Sequence, residues 1–515
     1  MIIVTTGYGT DGRISSAGFL HGGEEKQLTY AYLPGTNLLQ TLTKPNGMTL
    51  TQSYEPQRDL LTGMLYKRGA TTVAQRTYTY DTLGRPLTRT TARNGQTVND
   101  TFGYNNRSEL TTATVNGGSY AYDYDNIGNR KTAQEAAEEI TGYTANNLNQ
   151  YTALTVDGDI DFQPEYDADG NQCRVKTSTG IWAISYDAEN RPTDFTSQAA
   201  DGTITSVHCE YDYMGRRTTK MVTVGNNVTL QQRYIYRGYL QIACIDLTRS
   251  HHPALWYITW DPTQPIATRP LAIQKNGTWF TYGWDLTKNI CELYGPSGYI
   301  RTAYNYTPYG QVSSTGDVEQ PIQWSSEFND TELGLVYYNY RHYNPMDGRW
   351  TGRDSIVQNN LYQFVSNKVV GEIDYLGLYE SLPTKSYETK DESCIFIPFV
   401  DIVKHKNGRF RILSDIQDYI EEKMRDYVTK TLNFITNNRA NPLFEYADIM
   451  KTSLKQVPYL YVYTICICKC IKQSYEFLRF YDQIDARLVD YEINSAINGI
   501  IIPKVNQNDI CKKRK

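Results

Sequence analysis

Six histidines and nine cysteines are the side chains of this 515-residue chain most suited to metal or nucleophilic chemistry, and their spacing gathers neither kind of site. His21, His208, His251, His252, His342 and His405 show no ligand spacing, and the adjacent His251 and His252 read as loop surface. The cysteines (Cys173, Cys209, Cys244, Cys291, Cys394, Cys466, Cys468, Cys470 and Cys511) include no CxxC pair and are odd in number, so they read as free thiols or core residues. Cys466, Cys468 and Cys470 alternate; on a strand they share one face, where a soft metal or a plain core position are both open readings. Phosphate-binding and dinucleotide-binding glycine loops are missing from the sequence. No cofactor and no metal are therefore expected. Carboxylates remain: two that share a site hold one proton between them and supply both acid and base, whereas a lone Asp more often caps a turn. The elements that carry them decide between these uses.

Those elements are written in tyrosine. The chain has 44 Tyr against 14 Phe, 37 Gly, and 33 of the tyrosines fall in residues 1–378. Tyr-Asp followed by Gly or Asn four places after the Tyr recurs as Tyr80-Asp81 to Gly84-Arg85, Tyr124-Asp125 to Gly128, Tyr166-Asp167 to Gly170, Tyr186-Asp187 to Asn190-Arg191 and Tyr211-Asp212 to Gly215-Arg216. Degenerate copies at Tyr104-Asn105 and Asn146 to Asn149 fill the gaps, giving a period of about 20 residues. Asp and Asn cap turns through their side chains, and Gly or Asn tolerates the positive φ of a hairpin turn. Flanks such as Thr77-Tyr78-Thr79-Tyr80 alternate with period two, as half-buried strands do. One hairpin cannot bury its own face, so successive hairpins are expected to pair edge to edge into a long sheet, a β-solenoid or partial shell of about 20 strands.

The units resemble the YD repeats of the RHS family. Residues 323–378 extend the likeness: Gln323-Trp324-Ser325-Ser326-Glu327-Phe328, Tyr340-Arg341-His342-Tyr343-Asn344-Pro345, Gly352-Arg353-Asp354-Ser355-Ile356 and Asp374-Tyr375-Leu376-Gly377-Leu378 look like the RHS repeat-associated core. The resemblance implies a β-shell around a variable C-terminal toxin, with the core acting as an aspartyl autoprotease. It maps the catalytic aspartates onto Asp354 and Asp374 and a third functional residue onto Arg341, and it places cleavage between Leu378 and Tyr379. Where the family usually carries proline, this chain has Ser355, Val369 and Tyr375. The open alternative is a non-enzymatic cell-surface or carbohydrate-binding repeat protein with an inactive core, in which Asp354 and Asp374 cap turns. His342, next to Arg341 on an alternating strand, points to the other face and receives no catalytic role.

Composition breaks at the same bond. Residues 379–515 hold 21 Lys+Arg and 18 Asp+Glu, net +3, against 30 and 38, net -8, before them, and only Gly408 and Gly499 of the 37 glycines. Expected domains are thus a repeat sheet over 1–300, an RHS core over 301–378 and a variable effector over 379–515. The tail reads as a small α-rich or α+β domain: Ser414 to Gln417 resembles a capping box leading a helix to about Asn437, further helical patterns run near Phe444–Val457 and Ile484–Ile497, and Tyr459–Ile471 is a strand or a helix start. Its single histidine, His405, argues against His-metal nuclease chemistry, and the zinc-deaminase pattern is missing. The basic end, Lys512 to Lys515, is ordinarily solvated. Implied partners are the tail itself as cargo, an immunity protein and a secretion apparatus, with surface carbohydrate under the alternative. No run is long and apolar enough to span a membrane. The opening Met-Ile-Ile-Val-Thr-Thr-Gly does not read as a secretory signal, so secretion or surface display by another route is expected, or a cytoplasmic location for a truncated cassette.

Overall fold

A computed structural model describes residues 4–263, 268–354, 360–381, 394–401, 461–470 and 475–482. It divides into two compact units, 1–385 and 386–515. In the first, 29 strands run in strict chain order as two antiparallel meanders: fifteen from Val4–Tyr8 to Asp159–Phe162, then fourteen from Glu165–Tyr166 to Val312–Gly316. The number exceeds the expected 20 or so because each repeat supplies two strands and the repeats continue beyond the most regular copies. Between the meanders lies buried Pro164, which has no N–H to extend the ladder. Side chains span the break: Tyr166 accepts from the Tyr151 N–H at 3.2 Å, and Arg174 donates to the Gln163 carbonyl at 2.8 Å.

The repeat explains itself in hydrogen bonds. Asp212 Oδ1 accepts from the N–H groups of Met214 and Arg216 at 2.9 and 3.0 Å, and Oδ2 accepts from Arg216 Nε at 2.7 Å. Asp81 and Asp187 make the same bonds to Arg85 and Arg191, and the degenerate Asn105 and Asn146 keep the backbone half of them. Tyrosines that lead into the turns reach back one unit: Tyr211 donates to the Pro192 carbonyl at 2.8 Å, Tyr186 to Gln172 at 2.9 Å and, ahead of the Arg237-Gly238 turn, Tyr236 to Arg217 at 2.8 Å. Phenylalanine could fill the same space but not make this bond, which accounts for the tyrosine excess.

Strands about 200 residues apart face one another, so the second meander packs back on the first. Tyr66 donates to the Trp284 carbonyl at 3.0 Å, Leu286 N–H donates to Tyr78, and Arg93 donates to Asn305 at 2.8 Å. Buried Arg76 pairs with buried Glu292. One apolar core draws on both meanders, from Phe19 and Leu50 to Trp284 and Tyr309. Among the described residues the two sheets do not close into a single hydrogen-bonded barrel.

Residues 317–381 fill this frame with short pieces: a four-stranded sheet (Phe328–Asp330, Leu335–Tyr337, His342–Asn344, Arg349–Trp350), two 3-10 turns (Trp324–Ser326, Val365–Asn367) and a hairpin of Ile373–Tyr375 with Tyr379–Ser381. Tyr338, Tyr343, Trp350 and Phe364 form its aromatic centre, with Tyr343 and Phe364 ring centres 4.1 Å apart. In the second unit the described elements are three antiparallel strands, Cys394–Asp401, Tyr461–Cys470 and Tyr475–Asp482. Of the two readings of Tyr459–Ile471, the strand is the one found; the three helices expected in the tail lie outside the described residues.

Tyr211→Phe is expected to destabilise the first unit by about 1 kcal/mol, the usual net worth of one hydrogen bond. Asp212→Ala removes three bonds to a carboxylate, one of them from an arginine, and is expected to cost about 2 kcal/mol or more. Denaturant midpoints of the full chain measure both.

Candidate active site

Arg341, Asp354 and Asp374 come from three different pieces of the core and meet in its interior. Arg341 leaves a tight reversal in which the Tyr338 N–H donates to the Arg341 carbonyl at 3.0 Å and Asn339 takes φ +63°. Asp354 follows the Arg349–Trp350 strand and is fixed by its N–H donating to the Leu361 carbonyl at 2.9 Å. Asp374 is the middle residue of the strand Ile373–Tyr375. Arg341 Nη2 lies 2.9 Å from Asp354 Oδ2 and 3.5 Å from Asp374 Oδ2, and all three side chains are buried. The guanidinium carbon also sits 4.0 Å from the Trp350 ring centre, a desolvated cation–π contact that fixes its plane.

The chain around the expected cleavage bond is held by the same groups. Asp374 Oδ1 accepts from the Leu378 N–H at 2.9 Å, and Arg341 Nε donates to the Gly377 carbonyl at 2.5 Å. Leu376, Gly377 and Leu378 form the hairpin turn, with Tyr375 opposite Tyr379 in register. Gly377 takes φ +77°, and a Cβ there would lie 3.3 Å from both Cβ and the carbonyl oxygen of Tyr338. The turn thus needs glycine both for its backbone angle and for its closeness to the chain that carries Arg341. Asp374 also behaves as the turn cap of the alternative reading, so capping and catalysis are not exclusive uses of one carboxylate.

Burial, and the Asp354 charge beside it, push Asp374 up to about 7 against the opposing pull of Arg341. Burial in turn pulls Arg341 below its ordinary value. Near neutral pH the pair can therefore hold one proton, the state that supplies an acid and a base together.

Two groups that the sequence did not single out lie beside this site. Lys288, 2% exposed, places Nζ 5.4 Å from the Tyr375 ring centre. Glu327 follows the Trp324–Ser326 turn, and each of the two feels the charge of the other and of Asp374. His342 faces away, as its alternation implies, toward Asp330 at 3.7 Å. Asp330 is the hub of a separate buried cluster with Arg217 at 2.6 Å and Lys220 at 2.9 Å, which joins the core to the second meander. Of the three positions that lack the family's proline, Val369 packs in the core, Tyr375 lies under Lys288, and Ser355 is outside the described residues. No group of His, Cys, Asp and Glu suited to a metal occurs among the described residues.

The sequence model of the Teneurin YD-shell family matches residues 8–375. The chain belongs to that family. Its repeats and core are those of an RHS/YD-repeat protein. Relatives include the toxin subunit YenC1 of Yersinia entomophaga, 24% identical over 72% of this chain and 45% of its own length, and the tRNA3(Ser)-specific nuclease WapA of Bacillus spizizenii, 25% identical over 53% of this chain and 11% of its own. The toxin protein Tse5 of Pseudomonas aeruginosa is 25% identical over 41% of this chain and 18% of its own. The crystal structure of TcdB2-TccC3-Cdc42 shares the fold with a TM-score of 0.61 at 19% identity, covering 73% of this chain and 20% of that one. A Photorhabdus luminescens Tc holotoxin pore does so at 0.59 and 18% identity, with the same shares. The chain therefore spans less than half the length of these curated relatives.

A carboxyl raised on folding binds more protons folded than unfolded, so its contribution to stability falls as pH rises between the ordinary 3.8 and about 7. In an Asp354→Asn background, the pH slope of stability across that window is expected to flatten on adding Asp374→Asn. Urea midpoints at several pH values test it; equal slopes in the two proteins would contradict the assignment.

Proposed function

We propose that this chain is an RHS-type toxin protein whose core is an aspartyl autoprotease that cuts between Leu378 and Tyr379, freeing residues 379–515 as the effector. The observation that carries the reading is the convergence of Arg341 on both carboxylates, with the same two residues, Arg341 and Asp374, gripping Gly377 and Leu378. The names of the relatives, toxins and nucleases of far greater length, support the toxin class. They leave the tail's target open, since the family match ends at residue 375. Export, an immunity protein and a secretion apparatus come with the same reading, as does the repeat frame's role as carrier. No helix among the described residues is long and apolar enough to cross a membrane.

In the proposed reaction Asp354, paired with Arg341, takes a proton from a water that attacks the Leu378 carbonyl carbon. Asp374, carrying the dyad's proton, donates to the carbonyl oxygen as the tetrahedral intermediate forms. Arg341 offsets the negative charge that develops. Collapse breaks the C–N bond, with a proton passing to the Tyr379 nitrogen, and leaves a Leu378 carboxylate and a Tyr379 amine. The Arg341 bond to Gly377 and the Asp374 bond to Leu378 hold the peptide for attack, so no substrate-binding step is needed.

Purified wild-type chain is expected to run as two fragments, with a new amino terminus at Tyr379 by mass spectrometry. Asp354→Asn and Asp374→Asn are expected to remain a single 59 kDa chain, each slowed by about 100-fold or more. An uncut wild-type chain would remove the protease reading and favour the structural alternative. For the effector, induced expression of residues 379–515 in a bacterium is expected to arrest growth, and unimpaired growth at good expression would contradict the assignment.

A further inference from the structure

The repeat carries one conspicuous substitution. In the regular turns the residue four places after the aromatic is Gly84, Gly128, Gly170, Asn190 or Gly215, all with φ between +61° and +85°. In Trp284-Asp285-Leu286-Thr287-Lys288-Asn289 the same turn is intact: Asn289 N–H donates to Asp285 Oδ1 and Asp285 N–H to the Asn289 carbonyl, both at 3.0 Å. Yet the left-handed position is Lys288, φ +66°. A long side chain with a Cβ pays for that conformation, and Lys288 is buried besides. Nothing in the turn itself calls for lysine, since glycine or asparagine serves in the regular copies and the small Ser108, φ +65°, in the degenerate one after Tyr104.

A second strained piece meets it. Ser325 and Ser326 take φ +52° and +60°, also left-handed, and both are buried. They lock onto the Lys288 turn: Ser326 Oγ donates to the Lys288 carbonyl at 2.6 Å and Ser325 N–H donates to Asn289 Oδ1 at 2.7 Å. The next residue, Glu327, lines a cavity of about 20 Å³, room for one water, together with Asn339 and Leu376 of the site's two turns. Three non-glycine residues in unfavourable backbone thus deliver one cation and one anion beside the hairpin that bears Asp374. Burial opposes both charges, pulling Lys288 down and Glu327 up, while the charge of each favours the charge of the other. Strain of this kind collects where function requires a particular side chain.

We propose that Lys288 and Glu327 are positioning residues for autoproteolysis: the pair sets the charge carried by Asp374 and so decides how the Asp354–Asp374 dyad shares its proton. The proposal rests on the protease reading above. Four charged groups from four pieces of chain then face Asp374, namely Arg341, Asp354, Lys288 and Glu327. Taking away the Lys288 cation raises the pH at which Asp374 loses its proton, and taking away the Glu327 anion lowers it.

The full chain is made by cell-free synthesis, and its conversion to two fragments is timed on gels from pH 5 to 9 for wild type, Lys288→Gly and Glu327→Gln, with Asp354→Asn as the uncut reference. Lys288→Gly restores the residue the turn prefers, so its melting temperature is expected to be no lower than that of the uncut reference when measured in the same Asp354→Asn background. The limb of the rate profile that reports Asp374 is expected to move up by about one pH unit in Lys288→Gly and down by about one in Glu327→Gln, a factor of about ten in the competent form on that limb. A purely structural pair would not move the two limbs in opposite directions. Profiles that coincide with wild type, or that shift the same way in both variants, overturn this proposal and leave the protease standing. A wild-type chain that stays whole overturns both.

Discussion

The bond on which the rest of the structure depends is the one between a turn aspartate and the backbone two and four residues on. Asp212 satisfies two N–H groups with one carboxylate oxygen and holds Arg216 with the other; Arg216 then reaches forward to the Gly238 carbonyl, while Tyr211 reaches back to Pro192. Each unit is thereby tied to the units about 20 residues before and after it. Meanders of fifteen and fourteen strands can be specified this way with neighbour contacts alone, as in other repeat proteins. Register follows because a one-residue slip would turn every tyrosine to the wrong face and break the ladder.

The core uses these turns as its sockets. Asn367 donates to the Gly128 carbonyl at 2.9 Å, Tyr362 to Gly170 at 2.6 Å and Arg349 to Asn149 at 2.6 Å, so three points of residues 317–381 are pinned to three separate repeats. Gly170 matters twice: its φ is +85°, and a Cβ there would lie 2.4 Å from Arg353 Cδ. Arg353 precedes Asp354, so the repeat frame reaches within one residue of the dyad. Short strands of two and three residues could not by themselves hold carboxylates at fixed distances. The frame supplies the rigidity that two buried acids require.

Much of this was legible in the chain because it is written locally. Tyr-Asp spacing, period-two flanks and glycine at the turn announce hairpins, and Arg341, Asp354 and Asp374 stand in recognisable strings of residues. What escaped was either disguised or non-local. The Lys288 turn hides because Trp284 replaces the tyrosine and Lys288 the glycine; the signal was present as an Asp285 to Asn289 spacing with a misplaced lysine. Glu327 looked like one carboxylate among many, since its meaning lies in the charges of Lys288 and Asp374, 39 and 47 positions away. The strand total exceeds the 20 or so expected because each period of about 20 residues carries two strands. The strand Tyr461–Cys470 was one of two readings that the apolar run allowed, since such runs are ambiguous between strand and helix.

Asp374 itself can be understood as a repeat turn put to a different use. In Asp374-Tyr375-Leu376-Gly377-Leu378 the carboxylate accepts from the N–H four residues on, at 2.9 Å, as Asp81 does from Arg85 at 2.9 Å. The sequence Asp-x-x-Gly is common to both. In the repeat the following residue is often arginine, which binds the second carboxylate oxygen at the surface, and Asp81 is held below its ordinary value by Arg85 and the turn amides despite some desolvation. In the core the following residue is Leu378, the arginine comes from elsewhere as Arg341, and it is shared with Asp354. The same local geometry, moved into the interior and given half an arginine, pushes its carboxyl up to about 7. An acid able to carry a proton at neutral pH needs no new turn, only a buried copy of the old one whose counter-charge has been divided.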